Sequence, residues 1–222
     1  MRPLTDNAPK SLLPVHGKPL LDYHIEGLLR ADARKVMFVV DYLRERIIEH
    51  VSQSFPEVDA TFLWQENPLG IADAFLRVRS EVATDFWAVH TDNLFVPHVL
   101  RSLIDCHVRG AVTMATVPFK GKSPRNRACQ DPVTGGLSLA FGAAPRCRGI
   151  DVQTTGCCVL PAEIFGLLEK ALAERPSCDV YDVLCANQED LNLVGVLYDG
   201  VWANINTAED MSEVESQLCR ME

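Results

Sequence analysis

Lys35-Val36-Met37-Phe38-Val39-Val40 is a continuous apolar run behind a single lysine, the pattern of a buried strand. Just upstream, Leu21, Ile25, Leu28 and Leu29 recur at helical spacing, so a helix leads into that strand. The alternation continues outward. Residues 42–52 read as a helix, 61–64 as a strand, 71–82 as a helix, 86–90 as a strand, 97–108 as a helix and 112–117 as a strand. Strands separated by helices of crossover length predict parallel pairing, hence an α/β sandwich. The second half is less regular. A turn is expected at Thr134-Gly135-Gly136, with strands near 137–141 and 154–160, a helix over 161–172, a strand over 193–198 and a final amphipathic helix over 207–217. The sequence holds no internal repeat, heptad run or low-complexity linker, and no hexapeptide repeat of the kind that builds a left-handed β-helix.

The 222 residues, 47% hydrophobic and 23% charged, suit one large globular domain over 1–222 that buries a substantial core. A formal charge of −9 is a poor match for a phosphate backbone, so no nucleic-acid partner is expected and any phosphate site must be local. No window reaches the ~20 consecutive apolar residues of a membrane span. Met1-Arg2-Pro3-Leu4-Thr5-Asp6 has no apolar signal core, and a soluble, cytoplasmic protein without a membrane partner is expected. The eight cysteines are scattered, with no Cys-x-x-Cys pair and no histidine at zinc-ligand spacing, and read as free thiols. Cys157 and Cys158 should point to opposite faces of one strand, so neither is a redox partner of the other.

Chemistry concentrates near the N-terminus. Arg2-Pro3-Leu4-Thr5 is followed by Pro9-Lys10-Ser11-Leu12-Leu13-Pro14-Val15 and then Gly17-Lys18-Pro19-Leu20-Leu21. This series resembles the opening of the sugar-1-phosphate nucleotidylyltransferases, or NDP-sugar pyrophosphorylases, where R-P-L-T leads to P-K and then to a helix opened by G-K-P-L. The resemblance implies a three-layer α/β/α sandwich around a Rossmann-like, mixed but mostly parallel sheet. It also implies that Lys10 meets the nucleotide and sugar phosphates, a task that suits a compact ammonium charge. Lys18 reads equally well as a surface residue at the start of the helix.

Gln65-Glu66-Asn67-Pro68-Leu69-Gly70-Ile71-Ala72-Asp73-Ala74 lies between a strand and a helix and is similar to the family's base-reading turn, Q-x-x-P-x-G-[LI]-A-x-A. A glutamine amide carries both a donor and an acceptor for a base edge, and a glycine lets the backbone approach the ring. Gln65, Pro68 and Gly70 are therefore the candidate nucleotide-binding residues, and the pattern most resembles thymidylyl- and uridylyltransferases, so a pyrimidine nucleotide is expected. Asp92 follows the apolar strand at 86–90, at the carboxyl edge where open α/β sheets gather ligands. In the family this position is G-D or A-D and its aspartate coordinates Mg²⁺; Thr91 here replaces the small residue.

Trp202-Ala203-Asn204-Ile205-Asn206-Thr207-Ala208-Glu209-Asp210 resembles the family's W-x-D-I-x-T-P-E-D, with Asn204 at the second metal position, where its amide oxygen can still take a Mg²⁺ site. Thr207 and Asp210 also read as an N-cap box and hence as structural. Thr155-Gly156 resembles the family's T-G strand beside the sugar, but the preceding E-K-P motif has no counterpart in Gly142-Ala143-Ala144-Pro145-Arg146. Lys120, Lys122, Arg125 and Arg127 form a basic cluster that reads either as phosphate contacts or as a solvated loop.

The implied reaction is nucleotidyl transfer from an NTP to a sugar-1-phosphate with Mg²⁺ as cofactor, Lys10 and Asp92 carrying the catalysis, and a homo-oligomer possible. Met1 falls where the family has the residue after its glycine-rich loop and arginine, so a domain truncated at its N-terminus, with little activity until the loop is restored, is expected. Two alternatives stay open: an inactive nucleotide-binding or regulatory relative, and a transferase acting on a non-sugar phosphorylated acceptor.

Overall fold

The computed structural model describes residues 5–66, 69–95, 98–120, 126–140, 148–198 and 200–219. In chain order the elements are β1 (Pro14–Val15), β2 (Lys18–Pro19), α1 (Leu20–Arg30), β3 (Lys35–Val40), α2 (Arg44–Ser54), β4 (Asp59–Trp64), α3 (Ile71–Arg77), β5 (Phe86–Val89), β6 (Asn93–Phe95) and α4 (His98–Cys106). There follow β7 (Val112–Pro118), β8 (Arg127–Gln130), β9 (Leu137–Leu139), β10 (Ile150–Leu160), α5 (Ile164–Glu174), α6 (Val180–Ala186), β11 (Leu193–Leu197), β12 (Trp202–Asn204) and α7 (Ala208–Leu218). Two compact units result: Met1–Trp64 with His90–Arg101 and Asp199–Glu222, and Gln65–Val89 with Ser102–Tyr198.

In the first unit the decisive apolar run is β3, paired in parallel with β4 from Lys35 opposite Asp59 to Val40 opposite Trp64. A parallel pair needs apolar cover, and α1 and α2 supply it: Leu21, Ile25, Phe38, Val40, Val51, Phe55 and Val58 form one core cluster, with Phe38 stacked on Phe62 at 5.2 Å. His50 Nε2 meets Asp22 Oδ1 at 2.6 Å, tying α2 to α1. A second cluster joins Val15, Leu20, Leu94, Val201, Ile205 and Val214 beneath the antiparallel pair β6 and β12. The α7 helix starts on the expected capping box, in which Thr207 Oγ1 accepts from Asp210 N and Asp210 Oδ2 accepts from Thr207 N.

The second unit is built on β10. One edge of β10 pairs antiparallel with β7; the other is shared, β8 taking Ile150–Gln153 and β5 taking Cys157–Leu160. The changeover falls at residues 154–156, where Gly156 has φ +74° and the register to β7 shifts, a bulge that glycine makes accessible. Since β11 is parallel to β7, the strands β5, β7 and β11 all run one way and β10 opposes them. The sheet is thus mixed, as expected, with β10 and the edge strand β9 reversed against β5, β7, β8 and β11.

Three departures from the sequence reading have identifiable physical causes. The helix over 71–82 ends at Arg77 and tightens into a 3-10 turn at Arg79–Glu81, while Val78 still packs inward. The α6 helix was not expected; it has seven residues, below the length at which periodicity speaks, but its N-cap Asp179 accepts from Tyr181 N at 2.9 Å. The reading of all cysteines as free thiols is corrected at Cys129, which is disulfide-bonded; such pairing is set by tertiary proximity that scattered spacings do not reveal. Cys106, Cys157, Cys158, Cys178, Cys185 and Cys219 are free. Burial pushes the Cys157 thiol upward and that of Cys158 to about 12, so both are inert as nucleophiles.

Candidate functional site

In the first unit Lys10, Asp92 and Asn204 join one polar network. Lys10 opens a 3-10 turn behind Pro9, and its Nζ donates to Asn206 Oδ1 at 2.7 Å while standing 3.7 Å from Asp92 Oδ2. Asn206 relays the contact, since its Nδ2 donates to Asn204 Oδ1. Asn204 is brought beside Asp92 by the backbone: it pairs opposite Asn93, and Ile205 N donates to the Asp92 carbonyl at 2.7 Å. Burial pulls the Lys10 ammonium below the ordinary lysine value, against the raising effect of the Asp92 and Asp210 carboxylates. Sequence reasoning missed Asn206. Strand alternation held the signal: Ile205 is 1% exposed and points into the core, so its neighbours Asn204 and Asn206 share the opposite face.

Asp92 is held from behind. Its Oδ1 accepts from Asn93 Nδ2 at 2.7 Å, and the Asn93 carbonyl meets His24 Nε2 at 2.6 Å from within α1. Burial drives the His24 pKa down to about 4, against the raising effects of the Asn93 carbonyl and Asp92. The imidazole is therefore neutral at pH 7 and must carry its hydrogen on Nε2 to bond that carbonyl. His24 Nδ1 and Asn93 Oδ1 remain buried without a hydrogen-bond partner, a cost of roughly 1–3 kcal/mol for each such group. Neither residue was singled out from sequence, because a histidine on an apolar helix face reads as core.

In the second unit the base-turn candidates are tightly packed. Gln65 is buried, and its Nε2 donates to Gly70 O at 3.2 Å and to Asp73 Oδ2 at 2.7 Å. Gly70 has φ +102°, and a Cβ there would lie 2.9 Å from Ser177 Oγ and 3.4 Å from Cys178 O. Glycine is thus demanded by the chain that crosses it as well as by its own backbone. Pro68 lies outside the described residues. Thr155 and Gly156 sit at the β10 bulge, with Thr155 Oγ1 donating to Ala115 O at 3.2 Å inside the sheet.

The remaining basic candidates are engaged locally. Lys18 Nζ donates to Glu26 Oε2 at 2.7 Å and lies over the Tyr23 ring. Arg127 Nε donates to Asp151 Oδ1 at 2.8 Å and its guanidinium stacks over Phe119, while Lys120 is exposed and Lys122 and Arg125 lie outside the described residues.

A lysine and a carboxylate thus share one polar network in the first unit, and a buried amide is fixed on a glycine turn in the second. The chain belongs to the nucleotidyl transferase family, which matches residues 1–127. It is 36% identical over 95 residues, 43% of its length and 39% of the other protein's, to "UTP--glucose-1-phosphate uridylyltransferase AglF" of Haloferax volcanii. It is 25% identical over 214 residues, 95% of its length and 49% of the other's, to "Bifunctional protein GlmU" of Methanococcus maripaludis. The chain therefore spans about half the length, or less, of these curated relatives. Among solved structures, apo UDP-glucose pyrophosphorylase matches with a TM-score of 0.84 at 14% identity, covering 100% of this chain and 94% of that one. The fold is the Rossmann-like α/β fold of nucleotide-sugar pyrophosphorylases. No helix among the described residues is long and apolar enough to cross a membrane.

Proposed function

We propose that this protein transfers a nucleotidyl group from a pyrimidine nucleoside triphosphate to a sugar-1-phosphate and releases pyrophosphate. A phosphate oxygen of the acceptor attacks the α-phosphorus, and the bond from that phosphorus to the oxygen leading to the β-phosphate breaks. No protein nucleophile is required, so positioning and charge stabilisation carry the catalysis. The observation that carries the reading is the network of Lys10, Asp92, Asn206 and Asn204. It sets one cation for phosphate beside a carboxylate and an amide oxygen.

The donor set fits Mg²⁺. Both Asp92 and Asn204 offer hard oxygens, and Mg²⁺ in such sites keeps one or two protein ligands while phosphates and water fill the rest. When bound, the ion neutralises charge on the phosphates. Lys10 orients phosphate oxygens, Gln65, Pro68 and Gly70 receive the base, and Thr155 and Gly156 border the sugar.

A pyrophosphate-release assay on the full-length protein, with a panel of triphosphates and sugar-1-phosphates, tests the reading. Turnover with UTP or dTTP supports it. Nucleotide binding without release under any pairing would instead identify a regulatory relative, and turnover only with a non-sugar phosphate would redefine the acceptor.

A further inference from the structure

Both hydrogens of the Gln65 amide are committed within the fold. Nε2 donates to Gly70 O at 3.2 Å and to Asp73 Oδ2 at 2.7 Å, and a carbonyl and a carboxylate can only accept. Turning the amide over would set its oxygen against two acceptors in a buried place, at the loss of a charge-assisted bond. Asp73 is itself fixed, one turn before Arg77, whose Nη2 lies 3.4 Å from both its oxygens. The amide therefore has one orientation, and the group it has left for a ligand is the acceptor Oε1.

We propose that Asp73 is a positioning residue that makes Gln65 an acceptor-only base reader, selecting nucleotides whose pairing edge carries an imide N–H, as in uracil and thymine, over cytosine. Uracil and thymine offer N3–H to such an acceptor. Cytosine presents an unprotonated N3 there, and two acceptors repel. A site built around one hydrogen bond rejects an analogue that cannot make it far more strongly than shape alone would. The proposal rests on the base-reading role of Gln65 given above, and adds that the selectivity resides in a residue that need not touch the nucleotide.

The test is calorimetric binding of UTP, dTTP and CTP to the wild-type protein, Asp73→Asn and Asp73→Ala, with melting temperatures measured alongside. Wild type should favour UTP and dTTP over CTP by about tenfold or more, the worth of one well-made hydrogen bond in a buried site. Asp73→Asn keeps the shape but accepts either orientation of the Gln65 amide, so the ratio should fall toward unity with the melting point little changed. Asp73→Ala should lose selectivity as well, at some cost in stability. A ratio unchanged within twofold in folded Asp73→Asn, or a wild type that takes CTP as readily as UTP, overturns the proposal while leaving the base site intact. Absence of triphosphate binding by wild type would refute the base-site reading and this inference together.

Discussion

The two units present their candidate residues in opposite ways. In the first, Lys10, Asp92, Asn204 and Asn206 are partly or fully exposed and bonded largely to one another, on a frame fixed by the pairing of β6 with β12. In the second, Gln65, Gly70 and Asp73 are packed together, with a glycine whose replacement would strain the backbone. Charge handling tolerates exposure because its energy acts over several ångströms, whereas reading a base edge depends on hydrogen-bond direction and so on rigidity. Substitutions in the first group should therefore reduce turnover at little cost in stability, and those in the second should cost stability or selectivity.

The largest effect expected is that of Lys10→Ala. Removing one pre-placed charge from a transferring phosphoryl group should lower kcat by about 10²–10³-fold. The half-exposed ion pair with Asp92 contributes little to folding, so the melting point should hold. Steady-state kinetics beside thermal melts check this, and a parallel loss of both would erase the distinction between the two regions.

His24 braces the first region from within α1. Its folded pKa of about 4 lies below the ordinary 6.5, so the unfolded chain takes up the proton first as the pH falls. Stability held above pH 6.5 should decline between there and pH 4, by on the order of 3 kcal/mol. Denaturant unfolding across that window reads it out, and His24→Gln, which keeps an amide donor for the Asn93 carbonyl, should flatten that part of the profile.

In the second region Gly70→Ala should cost about 1–3 kcal/mol, since φ +102° belongs to a region nearly reserved for glycine and the new Cβ meets Ser177. Denaturant midpoints measure it, and a neutral result would show that the crossing chain is free to give way. The smallest effect is assigned to Asn206→Ala. Loss of its bond to Lys10 should slow turnover by about tenfold without altering the melting point, because the side chain is exposed.

Much of this was legible in the sequence. The apolar run at 35–40 and the helix before it declared an α/β unit, and the string from Gln65 to Ala74 falls, as expected, where a strand gives way to a helix. Short elements were not legible: β6 and β12 have three residues each, too few for any period, yet their pairing is what sets Asn204 beside Asp92. The supporting residues were hidden for a related reason. His24 and Asp73 act through partners distant in the sequence, His24 on Asn93 and Asp73 on Gln65, and no local pattern records which group a side chain will meet.

The central claim, that Asp92 and its neighbours hold a phosphate-bound metal on a frame that does not depend on them, is tested most directly by Asp92→Asn. The measurement is the Mg²⁺ dependence of pyrophosphate release, with the melting temperature taken on the same preparation. The half-saturating Mg²⁺ concentration should rise by at least about tenfold, as expected when a metal ligand loses its charge, while the melting temperature stays within a few degrees. An unchanged Mg²⁺ dependence in a folded variant would remove Asp92 from the metal site and contradict the account.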